Sequence, residues 1–259
     1  MYNEQGLAHE LRFAPERGEI TARFQPQVDV RRGLVVAVEA LSRWHHPRLG
    51  VVPPNTFIPI AEAGDAITAV GDVMLEAACR YGAALAGAGR RIGIAVNVAA
   101  VQLSQRRFVE RVAHHLDTSG LPAALLTLEL TESQPTPASA AGTLAAVRGL
   151  GVGVSIDDVC TLDEAETRVS PFPVTELKVD RSVIRRLPDD RGDAAVLVDF
   201  AREHGLLSVA EGVETTPQWE AVRELGFDRA QGYLFGRPMT PHRMTDRLEQ
   251  TEDWRDDSE

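Results

Sequence analysis

From Ile92 to Gln231, short apolar runs of strand-forming residues alternate with longer helical stretches, and the runs stop at polar side chains. Residues 92–96 run into Asn97, 126–128 into Glu129, 154–156 into Asp157 and 206–210 into Glu211. Lys178 sits between Leu177 and Val179, and residues 229–231 end on Gln231. Between these runs the spacing predicts helices over 105–116, 138–150, 194–204 and 217–225. Such alternation implies a parallel sheet with helical crossovers. About eight strands in 259 residues fit a (β/α) barrel rather than an open sheet. Upstream, residues 20–30 and 34–40 are expected to pair as a hairpin across the turn Arg31-Arg32-Gly33, with Glu39 at the far end of the second strand. The four prolines of residues 44–59 predict a loop, and a helix is expected over 69–88. One domain is expected over 1–259, its core at about 11–245, with a frayed acidic tail after Arg243.

The chain is 44% apolar and carries 38 acidic against 27 basic residues, a net charge of -11. That balance argues against a nucleic-acid polymer, whose phosphates demand a basic face. It leaves room for a small phosphorylated ligand whose charge is masked by metal ions. Cys79 and Cys160 lack metal-site spacing, and one pair makes no disulfide framework, so a reducing, cytoplasmic setting is expected. No apolar run has the length needed to span a bilayer. The start shows no basic-then-apolar order of a signal peptide.

In Val154-Ser155-Ile156-Asp157-Asp158, a buried strand runs into two adjacent carboxylates. Like charges at such a place need compensation, and divalent cations supply it. A lone Asp-Asp pair more often starts a loop or caps a helix. Here the pattern recurs: Glu39, Asn97, Glu129, Asp157, Lys178, Glu211 and Gln231 lie 20 to 58 residues apart, and a barrel would bring all seven onto one rim. Hard oxygen donors without sulfur or histidine suit Mg2+ or Mn2+. His45 and His46 are expected to pack or hydrogen-bond rather than to ligate.

Glu39-Ala40-Leu41-Ser42-Arg43-Trp44 resembles the signature of the EAL domain family of cyclic di-GMP phosphodiesterases. So do Phe24-Gln25-Pro26, Phe57-Ile58-Pro59-Ile60-Ala61-Glu62, Asn97, Glu129-Leu130-Thr131-Glu132, Asp157-Asp158, Lys178-Val179-Asp180, Glu211-Gly212-Val213-Glu214 and Gln231-Gly232-Tyr233-Leu234-Phe235. The likeness covers about Leu11 to Pro241. It implies a TIM-like (β/α)8 barrel with the first strand antiparallel, and hydrolysis of cyclic di-GMP to linear pGpG with two Mg2+ or Mn2+ ions. Glu39, Asn97, Glu129 and Asp157 would hold the first ion; Asp157, Asp158 and Glu211 would hold or flank the second. Glu39, Glu211 and Lys178 would be catalytic, Lys178 by orienting the attacking water and steadying developing charge. Gln25, Leu41, Arg43, Gln231 and Pro238 would cradle the ligand, and Glu132 and Glu214 would support the metal ligands. Ca2+ would permit binding and block the reaction.

After the aspartate pair the family usually reads Phe-Gly-Thr-Gly-Tyr-Ser-Ser-Leu, whereas this chain has Val159-Cys160-Thr161-Leu162-Asp163-Glu164-Ala165-Glu166. Two glycines are replaced, which predicts strained or lost backbone shapes, and Asp163, Glu164 and Glu166 add charge near the metal-binding pair. In the family this loop orders the second metal and joins the dimer contact, so both the hydrolytic rate and a homodimer are in question. Two functions stay open on the residues alone. One is a metal-dependent phosphodiesterase, favoured by the complete ligand set and Lys178; the other is a cyclic di-GMP sensor of low or no activity, favoured by the altered loop.

Overall fold

The structure, a computed structural model, describes residues 4–131 and 136–250, the first and last of them by backbone alone. Helix α1 (Glu4–Leu11) precedes strands β1 (Ile20–Asp29) and β2 (Val35–His46), which pair antiparallel. Their turn is closed by Asp29 Oδ1, which accepts the backbone N–H of Arg31 and of Arg32 at 3.0 and 2.8 Å. Gly33 completes it at φ 67°, where glycine meets no steric penalty. β3 (Gly50–Val52) folds back on β2, and α2 (Pro54–Ala63) and α3 (Ala66–Gly87) lead to β4 (Gly93–Val98). The alternation then continues through α4 (Ala100–Leu103), α5 (Phe108–Ser119), β5 (Leu126–Leu130), α6 (Ala141–Gly149), β6 (Gly153–Val159), α7 (Leu162–Val169), β7 (Glu176–Val179), α8 (Arg181–Ile184), α9 (Gly192–Glu203), β8 (Leu207–Ala210), α10 (Thr216–Leu225), β9 (Arg229–Gln231) and α11 (Pro241–Gln250).

Strands β2 and β4 to β9 lie side by side in sequence order and run parallel. β1 pairs antiparallel with both β2 and β9 and closes the ring. The result is the eight-stranded barrel with an inverted first strand, and β3 extends β2 outside it. Period-two alternation sends one face of each strand outward. Val38, Val96, Leu128, Ile156 and Leu177 are buried together with Leu75, Val112, Leu144 and Leu197 of the helices, so the apolar core is the layer between strands and helices. Barrels of this kind ordinarily fill their centre with branched apolar side chains. Here the centre holds Gln25, Gln27, Ser155, Glu176, Lys178 and Gln231, all buried.

Three expectations are corrected. Residues 44–59 are not a loop: Trp44 to His46 end β2, β3 follows, and Pro54 opens α2. A proline in the first helical turn loses no hydrogen bond, which the proline count concealed. Trp44 is fully buried and donates Nε1 to Glu19 Oε2 at 3.0 Å. The first part of the tail forms α11 to Gln250, because Met244 and Leu248 bury one face of it and Tyr81 Oη meets Thr245 Oγ1 at 3.2 Å; residues 251–259 of the tail lie outside the described residues. Finally, residues 162–169 of the altered loop form α7.

Candidate active site

All seven rim residues meet at the mouth of the barrel. Glu39 lies in mid-strand rather than at the end of β2, because that strand runs on to His46. Lys178, fully buried, reaches Glu211 Oε1 at 2.6 Å, Asp157 Oδ1 at 2.9 Å, Glu129 Oε2 at 3.2 Å and Glu39 Oε2 at 3.7 Å. Asn97 Nδ2 donates to Glu39 Oε1 at 2.7 Å, and Gln231 Nε2 donates to Glu39 Oε2 at 2.6 Å and to Gln25 Oε1 at 3.1 Å. Both oxygens of the glutamate from β2 are thereby aimed before any ligand arrives. β9 comes close enough because residue 232 is glycine: a Cβ there would lie 2.1 Å from the Val213 carbonyl oxygen and 2.3 Å from its nitrogen.

One ammonium faces the carboxylates of Glu39, Glu129, Asp157 and Glu211, with Asp158 beside them. Burial, then the charges of Glu39 and Asp157, hold the Glu129 carboxyl well above its usual range in spite of Lys178. Burial and Asp157 do the same to Glu211. Burial and Asp157 push Asp158 up to about 7. Glu39 behaves oppositely: burial would raise it, but Lys178 and the hydrogen bonds from Gln231 and Asn97 bring it below the ordinary value. Lys178 is disfavoured by burial, yet its acidic partners raise it well above the usual lysine value.

This donor set fits hard divalent cations. Asp157, Asp158 and Glu211 offer oxygens within 4.8 Å of one another, the buried Glu129 Oε1 receives no hydrogen bond, and Asp157 Oδ1 meets the Lys178 ammonium. Such groups are stable together when a cation neutralises them. A carboxyl group must lose its proton to hold a metal. Asp158 is raised to about 7, and Glu129 and Glu211 are raised as well, so more than one proton competes with the metal. Apparent Mn2+ affinity is therefore expected to rise with pH from 6 to 8, by about tenfold per unit for each proton released. Calorimetric titrations at pH 6, 7 and 8 measure this.

A cavity of about 640 Å3 opens beside the acids. Glu39, Asn97, Asp157 and Asp158 form its polar end; Leu41, Ile58, Val70 and Met74 are among its apolar walls. Of the expected ligand contacts, Leu41 lines this cavity, and Gln25 and Gln231 lie next to it through Glu39. Arg43 and Pro238 do not line it; Arg43 Nη1 donates to the Ser42 carbonyl at 2.7 Å. Glu214 is exposed, and it is its backbone N–H that is engaged, donating to Gln218 Oε1 at the start of α10. Glu132 falls outside the described residues. His45 Nε2 meets Thr21 Oγ1 and the buried His46 meets Glu10, so both histidines serve packing as expected. A larger groove of about 750 Å3 between α7 and α9 contains none of the rim residues.

The altered loop is not a strained remnant. Thr161 caps α7, accepting the backbone N–H of Glu164, and Glu164 Oε2 accepts those of Cys160 at 2.8 Å and Thr161 at 3.3 Å. This reciprocal capping box satisfies the free N–H groups at the helix start. From the far end of α7, Arg168 donates to the carbonyls of Asp158 and Leu130 at 3.4 and 3.5 Å. The backbone irregularity falls one step earlier, on Asp158 at φ 55°.

A family model described as "EAL domain" matches residues 8–238. The chain belongs to the EAL domain family. This EAL domain is 38% identical over 244 residues to the bifunctional diguanylate cyclase/cyclic di-GMP phosphodiesterase MucR of Pseudomonas aeruginosa, covering 92% of this chain and 36% of that protein. It is 32% identical over 236 residues to the cyclic di-GMP phosphodiesterase RocR of the same organism, covering 89% of this chain and 60% of RocR. The solved PaMucR phosphodiesterase in complex with c-di-GMP superposes with a TM-score of 0.85 at 36% identity, over 92% of this chain and 99% of that one. The EAL domain of Mycobacterium smegmatis DcpA superposes at 0.74 with 30% identity, over 92% and 98%. The chain spans about a third of the length of the first curated relatives it matches. No helix among the described residues is long and apolar enough to cross a membrane.

Proposed function

We propose that this EAL domain hydrolyses cyclic di-GMP to linear pGpG. The observation that carries the proposal is Lys178, fully buried and within 3.7 Å of four rim carboxylates. Holding a nucleotide does not need a lysine at the centre of a metal-ligand ring, whereas phosphoryl transfer needs a fixed positive charge where negative charge develops. The chemistry of MucR and RocR points the same way.

Glu39, Asn97, Glu129 and Asp157 would hold one Mg2+ or Mn2+, and Asp157, Asp158 and Glu211 a second. When bound, the ions supply Lewis acidity and an activated water for in-line attack on phosphorus. The protein's own part is to preorganise. Gln231 and Asn97 fix the Glu39 carboxylate, and Lys178 offsets charge among the acids. Glu39, Asp157 and Asp158 are the rim carboxylates that line the cavity, and the apolar walls of Leu41, Ile58, Val70 and Met74 exclude water from one side of the ligand. Two free cysteines, Cys79 buried and Cys160 half-buried, fit action in a reducing, cytoplasmic setting.

The test is a product assay on purified protein with cyclic di-GMP. With Mn2+ or Mg2+ the expected product is pGpG. With Ca2+ in their place, binding is expected to persist and product formation to stop, since the looser Ca2+ shell does not fix the reacting groups. Ligand binding without pGpG under Mn2+ would establish the sensor function instead.

A further inference from the structure

Gln27 lies one step deeper in the barrel than the rim and is 1% exposed. It shares the inward face of β1 with Gln25, two residues away, and stands opposite Gln231 in the β1–β9 pairing. Its Nε2 donates to Gln231 Oε1 at 3.0 Å. Gln231 Nε2 in turn donates to Glu39 Oε2 at 2.6 Å and to Gln25 Oε1 at 3.1 Å, and Gln25 Nε2 donates to the Gly236 carbonyl at 3.1 Å. The three amides form one directed network that branches at Gln231, one arm ending on the Glu39 carboxylate of the rim and the other, through Gln25, on the Gly236 carbonyl.

An amide carries one acceptor and one donor end, so a partner at either end sets the direction of both. Gln231 is itself 4% exposed, and Gln27 is the donor that satisfies its oxygen. Without that donor, Gln231 Oε1 is left buried and unpaired, and the amide loses the contact that fixes its oxygen end. The 2.6 Å hydrogen bond to Glu39 Oε2 is then less firmly aimed. The far end of Gln27 supports the same picture. Its Oε1 is buried without a hydrogen bond at a cavity of about 280 Å3, lined also by Arg91, Glu176 and Arg229 at the opposite end of the barrel. That cavity is polar and roomy enough for water, which can donate to Oε1.

We infer that Gln27 is a positioning residue: through Gln231 it orients the Glu39 carboxylate for metal and substrate, and the inference rests on the proposed phosphodiesterase activity. Two variants of nearly the same volume test it. Gln27→Met removes the donor. Gln27→Glu, where ionised, offers Gln231 only acceptors and so favours the reversed amide. For Gln27→Met, Mn2+ affinity without substrate is expected to fall about 10- to 100-fold, the range found for groups that orient metal ligands. Its kcat should fall with it while KM changes less, because the amide chain ends on Glu39 rather than on the apolar walls. Gln27→Glu should lose more of both. The side-chain amide protons of Gln231, followed by NMR, should be protected from exchange in the wild type and not in Gln27→Met. Circular dichroism and a melting curve show whether each variant is folded. A folded Gln27→Met with Mn2+ affinity and kcat within twofold of wild type, or with Gln231 protons still protected, overturns the inference. If the wild type itself binds Mn2+ but forms no pGpG, the phosphodiesterase proposal fails, while the Mn2+ affinities and Gln231 protons still decide the role of Gln27.

Discussion

Glu39→Ala is expected to lower kcat/KM for cyclic di-GMP by on the order of a thousandfold or more. Glu39 is the one rim acid held from both sides, by Asn97 at Oε1 and by Gln231 at Oε2, and its carboxyl is also kept below the usual range by Lys178. It is thus a carboxylate already aimed to bind a cation at neutral pH. Losing a hard ligand and its aim at the metal costs several kcal/mol of transition-state stabilisation, and each 1.36 kcal/mol is about tenfold in rate. The truncation also strips Asn97 Nδ2 and Gln231 Nε2 of an acceptor, so Mn2+ affinity should drop in parallel. Steady-state kinetics with a Mn2+ titration measure both. Turnover within tenfold of wild type would show that the rim is not the reaction centre.

Lys178→Met is expected to act on stability and on turnover, with metal separating the two. The ammonium is fully buried among Glu39, Glu129, Asp157 and Glu211. Removing one partner of a buried charge cluster costs about 3–5 kcal/mol, because the remaining charges stay buried without compensation. In EDTA, the variant's melting temperature should fall clearly below that of the wild type. Mn2+ binds the folded protein alone and stabilises it by mass action, so the rise on adding Mn2+ should be larger in the variant. Turnover should nevertheless stay about 100- to 1,000-fold down, the size of effect seen when one preorganised donor is removed from a transition state. Equal Mn2+ shifts in both proteins would contradict the shared role of lysine and metal in neutralising the acids.

Much of this site is legible along the chain because a barrel turns sequence order into a circle. Asn97, Glu129, Asp157 and Glu211 each follow an apolar run, and parallel strands bring such ends to one rim. The hairpin is legible in Arg31-Arg32-Gly33, whose turn chemistry is local. What escaped depends on packing or on signals that were outweighed. Prolines in residues 44–59 suggested a loop, yet Pro54 is where a helix tolerates one. Lost glycines in residues 159–166 suggested strain, although Thr161 followed by Glu164 three residues later spells a helix start. Glu214 carries the right residue type at the right spacing and still faces solvent, since a motif does not fix the direction of a chain that has left its strand. Gln27 passed unremarked because a single polar residue in a strand gains meaning only when Gln231 is set opposite it, 204 residues away.

The inverted first strand has a consequence for how the molecule assembles. β1 and β2 meet across a few residues and can form early, but the ring is sealed only when β1 meets β9, through Gln27 with Gln231, Val28 with Ala230 and Asp29 with Arg229. Contacts so distant in sequence form late, because long loops must close first. Glu39 and Gln231, 192 residues apart, are joined across that seam. A polypeptide emerging from the ribosome therefore carries its acids long before it can aim them, and competence for catalysis arrives only with the last stave of the barrel.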